Sequence, residues 1–258
     1  MNIKMTAIRA ALLGSILLIW ELASGTLVPT FFISKPSRIF TVFWSWVQDG
    51  SLFFHAGITA SEALTGFLVG GTVGMTVGLI LGRATRLSEV INPFITAFYS
   101  IPKLALAPLF ILWFGIGFDM KVALIATIVF FLVFLNTYTG VRDVSRELMA
   151  ILRLMGAGEK HLLTKVVIPS AVTWVFAGLR ISAPYALVGA VVGELVASNR
   201  GLGYLLAHAA GQFNTAGVFA ALVAIVVLAS CLNFAVGWGS RRAIPWRNVE
   251  GASREITI

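Results

Sequence analysis

The chain has 258 residues, of which 58% are hydrophobic and only 12% are charged. A soluble globular domain carries about 25% charged residues, so this composition excludes a soluble enzyme core, an intrinsically disordered chain and a collagen-like repeat. The net charge of +8 would suggest nucleic acid as a partner of a soluble protein, but in a membrane protein it indicates cytoplasmic loops rich in Lys and Arg. The chain is therefore predicted to be an all-α, polytopic membrane protein that binds no nucleic acid.

Apolar stretches of about 20 residues, the length of a helix that crosses a bilayer, predict about six transmembrane helices. In chain order they cover residues 10–28, 63–82, 91–115, 122–141, 171–197 and 217–238. The first stretch also resembles a secretory signal, whose removal would leave five helices. Glu21 and the apolar run that continues to Ile33 favour an uncleaved helix.

Between the first two spans, residues 34–59 form a predicted outer segment. Within it, Ile39, Val42, Phe43 and Trp46 have the spacing of one helix face. This pattern predicts a short helix that lies on the membrane surface with its apolar face toward the lipid.

The distribution of positive charge indicates the orientation of the spans. If the N-terminus is cytoplasmic, thirteen of the 19 Lys and Arg residues fall in cytoplasmic segments, and two lie inside spans. Only Lys35, Arg38, Lys121 and Arg200 fall in outer segments. Because Lys and Arg accumulate on the cytoplasmic side, both termini are predicted to be cytoplasmic.

Glycine recurs every fourth residue along the second predicted span, at Gly66, Gly70, Gly74, Gly78 and Gly82. Residues four apart share a helix face, so these glycines form a strip without side chains, against which another helix can pack closely in lipid. That helix belongs either to the same subunit or to a second subunit.

The third predicted span contains Pro102 and Pro108, so a straight helix is not expected there. Broken helices at membrane depth occur where they are buried in protein or line a water-filled cavity. Lys103, beside the first break, therefore lines a translocation pathway, binds the carbonyl groups that Pro102 leaves free, or extends to the membrane surface.

The fifth predicted span contains Arg180 and Glu194, which lie about 21 Å apart on one continuous helix and therefore do not pair with each other. Arg180 is expected near the middle of the membrane, where it binds either another helix or the transported solute. Glu194 is expected near the outer boundary, ahead of residues 201–204, and is a candidate for an outer gate. The isolated His208 is predicted to be structural, and the single cysteine, Cys231, to be a small core residue.

The longest predicted cytoplasmic segment, residues 142–169, lies between the fourth and fifth spans. Its first part is predicted to be an amphipathic helix that ends at Gly156. One face of this helix consists of Val144, Leu148, Ile151, Leu152 and Met155. A second short helix, with Glu159 at its positively charged N-terminal end, is predicted to stop before Pro169. Two such helices outside the membrane indicate contact with lipid headgroups or docking into a partner protein.

Residues 150–169 resemble the coupling-loop motif of ABC importer permeases. That motif runs Glu-Ala-Ala, three residues, Gly, nine residues, Ile, one residue, Leu-Pro. The glycine position and the terminal positions of the motif are matched in this sequence. The matching residues are Gly156 with Ala157 after it, Val166, Ile168 and Pro169.

The opening triplet departs from the motif, because Ala150, Ile151 and Leu152 replace Glu-Ala-Ala, and Glu147 is the candidate for the missing acidic residue. The wider sequence resembles one branch of these permeases, which contains taurine, alkanesulfonate and nitrate permeases and relatives for pyrimidine vitamin precursors. The signature of its third helix, at residues 101–109 and 112–117, matches most clearly. Further matches lie at residues 135–138, 178–180, 194–197, 201–204 and 241–246.

This resemblance implies one permease domain over residues 1–258, with the type I (MetI-like) ABC importer fold, in the bacterial inner membrane. Two such permease chains would form the translocation pathway, two ATPase subunits would each receive one coupling loop, and a periplasmic or lipoprotein binding protein would deliver the solute. ATP and Mg²⁺ would be bound by the ATPase, since this sequence has no Gly-x-x-x-x-Gly-Lys-Ser/Thr loop. The absence of a catalytic triad and of a metal-ligand cluster predicts a non-catalytic subunit without a bound cofactor or metal.

The positive charges of Lys103 and Arg180 would suit a small anion such as a sulfonate, taurine or nitrate. The alternative is a secondary transporter driven by protons or sodium, in which Lys103, Arg180 and Glu194 would be the coupling groups. That alternative leaves the amphipathic cytoplasmic loop unexplained. A membrane-embedded enzyme fits less well, because no nucleophile, base and orienting residue cluster at the helix ends.

Overall fold

The computed structural model describes residues 3–144 and 146–243, and these residues are mostly helical. Ser145 and the predicted tail residues Ile244, Pro245 and Trp246 lie outside the described residues. The helices are α1 (Ile3–Ala23), α2 (Pro36–Gln48), α3 (Ser51–Arg83), α4 (Thr85–Ser100), α5 (Ala107–Phe114), α6 (Phe118–Arg142), α7 (Arg146–Leu154), α8 (Glu159–Leu162), α9 (Ile168–Ala197), α10 (Leu202–Gly211) and α11 (Thr215–Ala243).

Five helical segments in this part of the chain are long and apolar enough to cross a membrane. They are Met5–Ala23, Ser51–Arg83, Phe118–Arg142, Glu159–Ala197 and Thr215–Ala243. The bent pair formed by α4 and α5 makes a sixth if it counts as one span. The predicted all-α class and the predicted number of spans are therefore confirmed.

The chain folds as two compact units. One unit consists of residues up to 61 together with residues 191–228, and it contains α1, α2 and α10. The other consists of residues 62–190 together with those after 228, and it contains α4 to α8. The long helices α3, α9 and α11 each contribute residues to both units.

The predicted short helix of the outer segment is present as α2. Its apolar face is not turned toward lipid as predicted, because Ile39 is buried and Phe43 and Trp46 pack against a buried cluster that includes Leu52 and Leu202. The predicted start of the next span is wrong, because α3 begins at Ser51 rather than near residue 63. Ahead of it, the Ser51 amide donates to the Asp49 carboxylate at 2.8 Å, and hydrogen bonds from Ser51 lower the pKa of Asp49. This turn satisfies one of the amide groups that a helix start leaves unbonded, so the helix begins well before the predicted boundary.

Lys121, predicted to lie in an outer segment, and Glu62, which directly precedes the predicted span 63–82, are both part of long helices. Both side chains are buried, and Lys121 of α6 forms an ion pair with Glu62 of α3. Charged side chains are tolerated inside a protein when they are paired in this way. Hydropathy cannot distinguish a charge that ends a span from a paired charge within one. The predicted limits of both spans therefore fall short of the ends of the helices.

The bent span follows the prediction from its prolines. The axes of α4 and α5 differ in direction by 80°. α4 ends at Ser100, Pro102 follows, and Lys103–Leu106 form a 3₁₀ turn before α5. Proline lacks an amide hydrogen and its ring clashes with the preceding turn, so an α-helix is interrupted there. The prediction that this span is not a straight helix is confirmed.

The prediction that the second helix of the cytoplasmic loop stops before Pro169 is wrong. After α8 the chain continues through a π turn at Leu163–Val167 directly into α9. Pro169 therefore lies in the first turn of α9, after a wider turn, where a missing amide hydrogen is tolerated. As a result, the loop is continuous with a long membrane-crossing helix.

Two single residues test the remaining structural predictions. His208 in α10 lies 3.0 Å from Gln212 (Nε2 to Nε2) and stacks on Tyr204, so the prediction of a structural histidine is confirmed. Cys231 in α11 is exposed rather than buried in the core, so that prediction is wrong. An apolar run does not show which residues of a span face lipid, because lipid and protein core are equally apolar.

Candidate functional site

The helix α7 ends in a turn built around Gly156. The Gly156 amide donates to the Arg153 carbonyl at 2.9 Å, and the Ala157 amide donates to the Leu152 carbonyl at 2.9 Å. This is the Schellman arrangement of a helix C-terminus, and it places Gly156 at φ +86°. A residue with a side chain is disfavoured at that φ, so glycine sets the shape of the loop at this point.

The apolar residues of α7 divide between two directions. Met149 packs against a buried cluster of Val141, Val167 and Ala171, which attaches the loop to α6 and α9. Three large apolar side chains face away from the chain. They are Ile151 (54% exposed), Leu154 (89%) and Met155 (77%). Of the predicted apolar face, Val144 is buried and Leu152 is half-buried, whereas Ile151 and Met155 are exposed, so the face is only partly covered by this chain.

Glu159 connects three parts of the chain at the loop. Its Oε2 atom accepts a hydrogen bond from Nη2 of Arg83 at 2.7 Å, and its Oε1 atom accepts one from Nη2 of Arg153 at 2.9 Å. Arg83 is the last residue of α3 and Arg153 lies in α7, so one carboxylate joins α7 and α8 to the end of a transmembrane helix. The sequence analysis missed this link because Arg83 and Glu159 are 76 residues apart.

The other residues of the predicted coupling motif differ in their exposure. Glu147, Ala150, Gly156 and Ile168 are exposed, Leu152, Ala157 and Pro169 are half-buried, and Val166 is buried. The motif therefore combines residues that hold the loop against the membrane-crossing helices with residues that remain accessible to a partner.

The five glycines of α3 lie against α6 of the same chain. A methyl group added to Gly74 would lie 2.6 Å from the Phe130 carbonyl oxygen, and one added to Gly82 would lie 2.6 Å from Cβ of Val141. Distances of this size are far below van der Waals contact, so the two backbones approach as closely as they do only because side chains are absent. The structure thus shows the glycine strip packing within one subunit, and the strip ends beside Arg83 at the loop.

Lys103 lies at the bend between α4 and α5. Its Nζ donates to the Tyr99 carbonyl, one of the last carbonyls of α4, and lies 4.5 Å from the centre of the Tyr99 ring and 4.8 Å from that of Phe131. Carbonyls at the end of an interrupted helix have no helical partner, and a cation over aromatic rings is stabilised by them. Of the three alternatives for Lys103, binding to a freed carbonyl is present in the structure.

Arg180 lies in the middle of the segment Glu159–Ala197 and is exposed. Within residues 3–144 and 146–243, its guanidinium group has no ion-pair or hydrogen-bond partner. An arginine at membrane depth is costly unless it meets water, an anion or polar groups. The assignment of Arg180 to a translocation pathway, or to a contact with another helix, stays a prediction.

Glu194 is buried, with 1% of its surface exposed, near the C-terminal end of α9. It accepts hydrogen bonds from Oγ1 of Thr59 at 2.7 Å and from the amide of Gly203 at 2.6 Å. Because both carboxylate oxygens are bonded to protein groups, Glu194 holds a turn in place.

The same turn is held at two further amides. The Leu202 amide donates to Oγ1 of Thr59 at 2.8 Å, and the Gly201 amide donates to Nδ1 of His55 at 2.9 Å. These amides precede or begin α10, where a helix leaves its amide groups unbonded. Residues 201–203 are therefore fixed at three consecutive amides, and the outer-gate assignment of Glu194 stays a prediction.

Comparison with known proteins agrees with this geometry. A family model described as "Binding-protein-dependent transport system inner membrane component" matches residues 70–245. A permease of Bacillus subtilis (strain 168) named for aliphatic sulfonates transport is 32% identical over 90% of this chain and 85% of its own length. The riboflavin transport system permease protein of Chloroflexus aurantiacus is 37% identical over 90% of this chain and 87% of its own length.

A solved structure of the MetNI methionine ABC transporter, in inward-facing conformations, contains a chain with a similar fold. The TM-score is 0.65 over 76% of this chain and 97% of that chain, at 19% sequence identity. At this identity the likeness establishes the fold. It agrees with the fold that the coupling-loop resemblance implies.

Proposed function

The chain belongs to the family of binding-protein-dependent transport system inner membrane components, and from this premise we propose how it acts as a permease subunit of an ABC importer. Two copies form a pathway for a small anion, which an extracytoplasmic binding protein delivers. Two separate ATPase subunits bind ATP and Mg²⁺ and each receive one coupling loop, and this chain is a non-catalytic subunit that binds no cofactor. It spans the bacterial inner membrane several times, with both termini in the cytoplasm.

The observation that carries this proposal is the set of three exposed apolar side chains at the C-terminal end of α7 and in the turn after it. Ile151, Leu154 and Met155 lie outside the predicted spans, where water would surround them in an isolated chain. Burying such side chains in a partner is favourable by about 1.5–3 kcal/mol each. A groove on an ATPase subunit that accepts an amphipathic helix would cover them.

The internal contacts of the loop support a path for the coupled motion. A displacement of α7 by the ATPase would reach α3 through Glu159 and Arg83, and α9 through the cluster around Val167. The close packing of α3 on α6 would then move these two helices together. A rigid pair of helices transmits such a displacement because packed elements shift as units.

The anionic solute is supported by Arg180. Its guanidinium is exposed in the middle of a predicted span and has no ion-pair or hydrogen-bond partner among the described residues, as expected for a residue that lines a pathway. The relative named for aliphatic sulfonates fits an anion, whereas the riboflavin permease shows that relatives also carry other solutes. Lys103, held at the bend by the Tyr99 carbonyl, would add positive charge to the same pathway.

The partner is tested by co-purification of the tagged chain from gently solubilised native membranes. We expect an ATPase subunit to accompany the wild-type chain and the variant Leu27→Asp, but to be lost from Leu154→Asp. Leu27 is a matched control, because it is also a leucine and is 84% exposed, in the turn after α1. Equal recovery of the ATPase with both variants would contradict the docking of α7.

The solute and energy source are tested in proteoliposomes that contain the co-purified complex. We expect uptake of taurine or an alkanesulfonate to require ATP and the binding protein, and to fall at least tenfold in Arg180→Gln, which removes one charge-assisted contact. ATPase activity should remain in this variant because Arg180 lies outside the loop. Uptake by the permease alone under a proton or sodium gradient would instead identify a secondary transporter.

A further inference from the structure

A cluster of positive charge lies beside the cytoplasmic loop, where α3 and α6 end. The C-terminal ends of α3 and α6, together with α7, enclose a cavity of about 250 Å³. Three arginines line it, and they are Arg83, Arg142 and Arg153. The proposed transport cycle uses Arg83 and Arg153 only as partners of Glu159 and gives no role to Arg142, so it does not account for the convergence of all three arginines.

Arg142 is held by groups that cannot neutralise it. Its Nη1 atom donates to the hydroxyl of Ser88 at 3.1 Å and to that of Tyr138 at 3.0 Å, and the guanidinium lies 5.5 Å from the centre of the Tyr138 ring. The two hydroxyls also bond to each other. Neutral hydroxyls fix the orientation of a guanidinium group and leave its full charge available to a ligand.

The other two arginines are only partly compensated. Arg83 and Arg153 share the single carboxylate of Glu159, so three guanidinium groups are balanced by one acid. The cavity therefore has a surplus of two positive charges. Arginine binds phosphate oxygens through paired hydrogen bonds, and a pocket with several arginines is suited to a phosphate group.

An apolar cavity adjoins this pocket. It has a volume of about 570 Å³, is lined largely by Leu79, Ile80 and Leu163, and shares Arg83 and Val167 with the arginine pocket. Lys160 and Glu159, the acid that Arg83 and Arg153 share, also line it. A phosphate group beside an apolar surface, at the end of membrane-crossing helices, is the chemistry of an anionic phospholipid.

We propose that the pocket formed by Arg83, Arg142 and Arg153 binds a phosphate group, supplied by the headgroup of an anionic phospholipid whose acyl chains lie along the adjoining apolar cavity. The bound phosphate bridges the ends of α3 and α6 to α7. It thereby fixes the loop in its position against the membrane-crossing helices. A free phosphate anion has the same headgroup chemistry but cannot occupy the apolar cavity.

The test uses the full chain, purified from its native membrane together with the subunits that accompany it, and native mass spectrometry. Phosphatidylglycerol, phosphatidylcholine and inorganic phosphate are added separately, and the bound fraction of each is measured. We expect phosphatidylglycerol to be retained in preference to phosphatidylcholine. Its apparent affinity should fall about tenfold in Arg142→Gln, the effect of losing one charge-assisted contact.

Two variants make the result specific. Arg242→Gln removes an exposed arginine from the end of α11, outside the cavity, and should leave the retention of phosphatidylglycerol unchanged. Arg142→Lys keeps the charge but loses the paired hydrogen bonds of the guanidinium group, so it should bind better than Arg142→Gln and less well than the wild type. Retention of inorganic phosphate without phosphatidylglycerol would keep the phosphate site and refute the lipid source. Equal lipid retention in Arg142→Gln and wild type, or loss of lipid whenever the ATPase is bound, would overturn the proposal.

Discussion

Glu194 holds the turn at residues 201–203, and Glu159 holds the cytoplasmic loop. The two carboxylates differ in their exposure and in the charge of their partners. Glu194 is 1% exposed and binds the uncharged Thr59 hydroxyl and Gly203 amide. The side chain of Glu159 is 62% exposed and binds two charged partners, Arg83 and Arg153. A buried carboxylate that loses its partners leaves donors unsatisfied, whereas exposed ion pairs contribute little to stability because water replaces them.

This difference suggests a difference in use. The turn at residues 201–203 is fixed by hydrogen bonds that are costly to break. The loop 142–169 is attached to α3 by exposed ion pairs, which exchange easily with water, and to α6 and α9 by a small buried cluster around Val167. We therefore expect the first region to resist displacement, and the ion-paired contact with α3 to be the one that the proposed ATPase motion changes most readily.

The largest effect is expected from Glu194→Ala. The Thr59 hydroxyl and the Gly203 amide would both lose their acceptor in a buried site, which costs about 2–4 kcal/mol. Thermal unfolding of the purified chain in detergent should show a clearly lower midpoint. Glu89→Ala, which removes an exposed carboxylate from α4, should leave the midpoint unchanged. An unaltered midpoint in Glu194→Ala would show that the buried carboxylate does not stabilise the turn at residues 201–203.

An intermediate effect is expected from Gly156→Leu. A leucine at φ +86° is strained by about 1–2 kcal/mol, so the turn after α7 should change shape or open. We expect a small loss of stability but a large loss of co-purifying ATPase, because the apolar side chains of α7 would be displaced. Gly158→Leu is the control, since Gly158 has φ −74° and open space around it. Normal recovery of the ATPase with Gly156→Leu would show that the turn does not position α7.

The features that could be predicted from the sequence are those formed by residues close together in the chain. The bend at Pro102, the glycine turn at Gly156 and the glycine strip of α3 all depend on residues close together in the chain, and their patterns predict them. The contacts of Glu159 with Arg83 and of Glu62 with Lys121 join distant helices, and hydropathy treats each charge as the end of a span. Which charges pair inside the fold follows from tertiary packing, so the sequence alone could not give it.

The smallest effect on stability is expected from Glu159→Gln. This variant tests most directly whether the exposed ion pairs serve transport rather than stability. The variant loses two exposed ion pairs, so the unfolding midpoint should shift by at most about 2 °C at low salt and not at all in 1 M salt, where exposed charges are screened. ATP-driven uptake should fall much more than stability does, because α7 would no longer be joined to the end of α3. Glu89→Gln, which changes an exposed carboxylate of α4 outside the loop, should alter neither quantity. A variant that transports normally would mean that the buried cluster at Met149, and not the ion pairs, links the loop to the membrane-crossing helices.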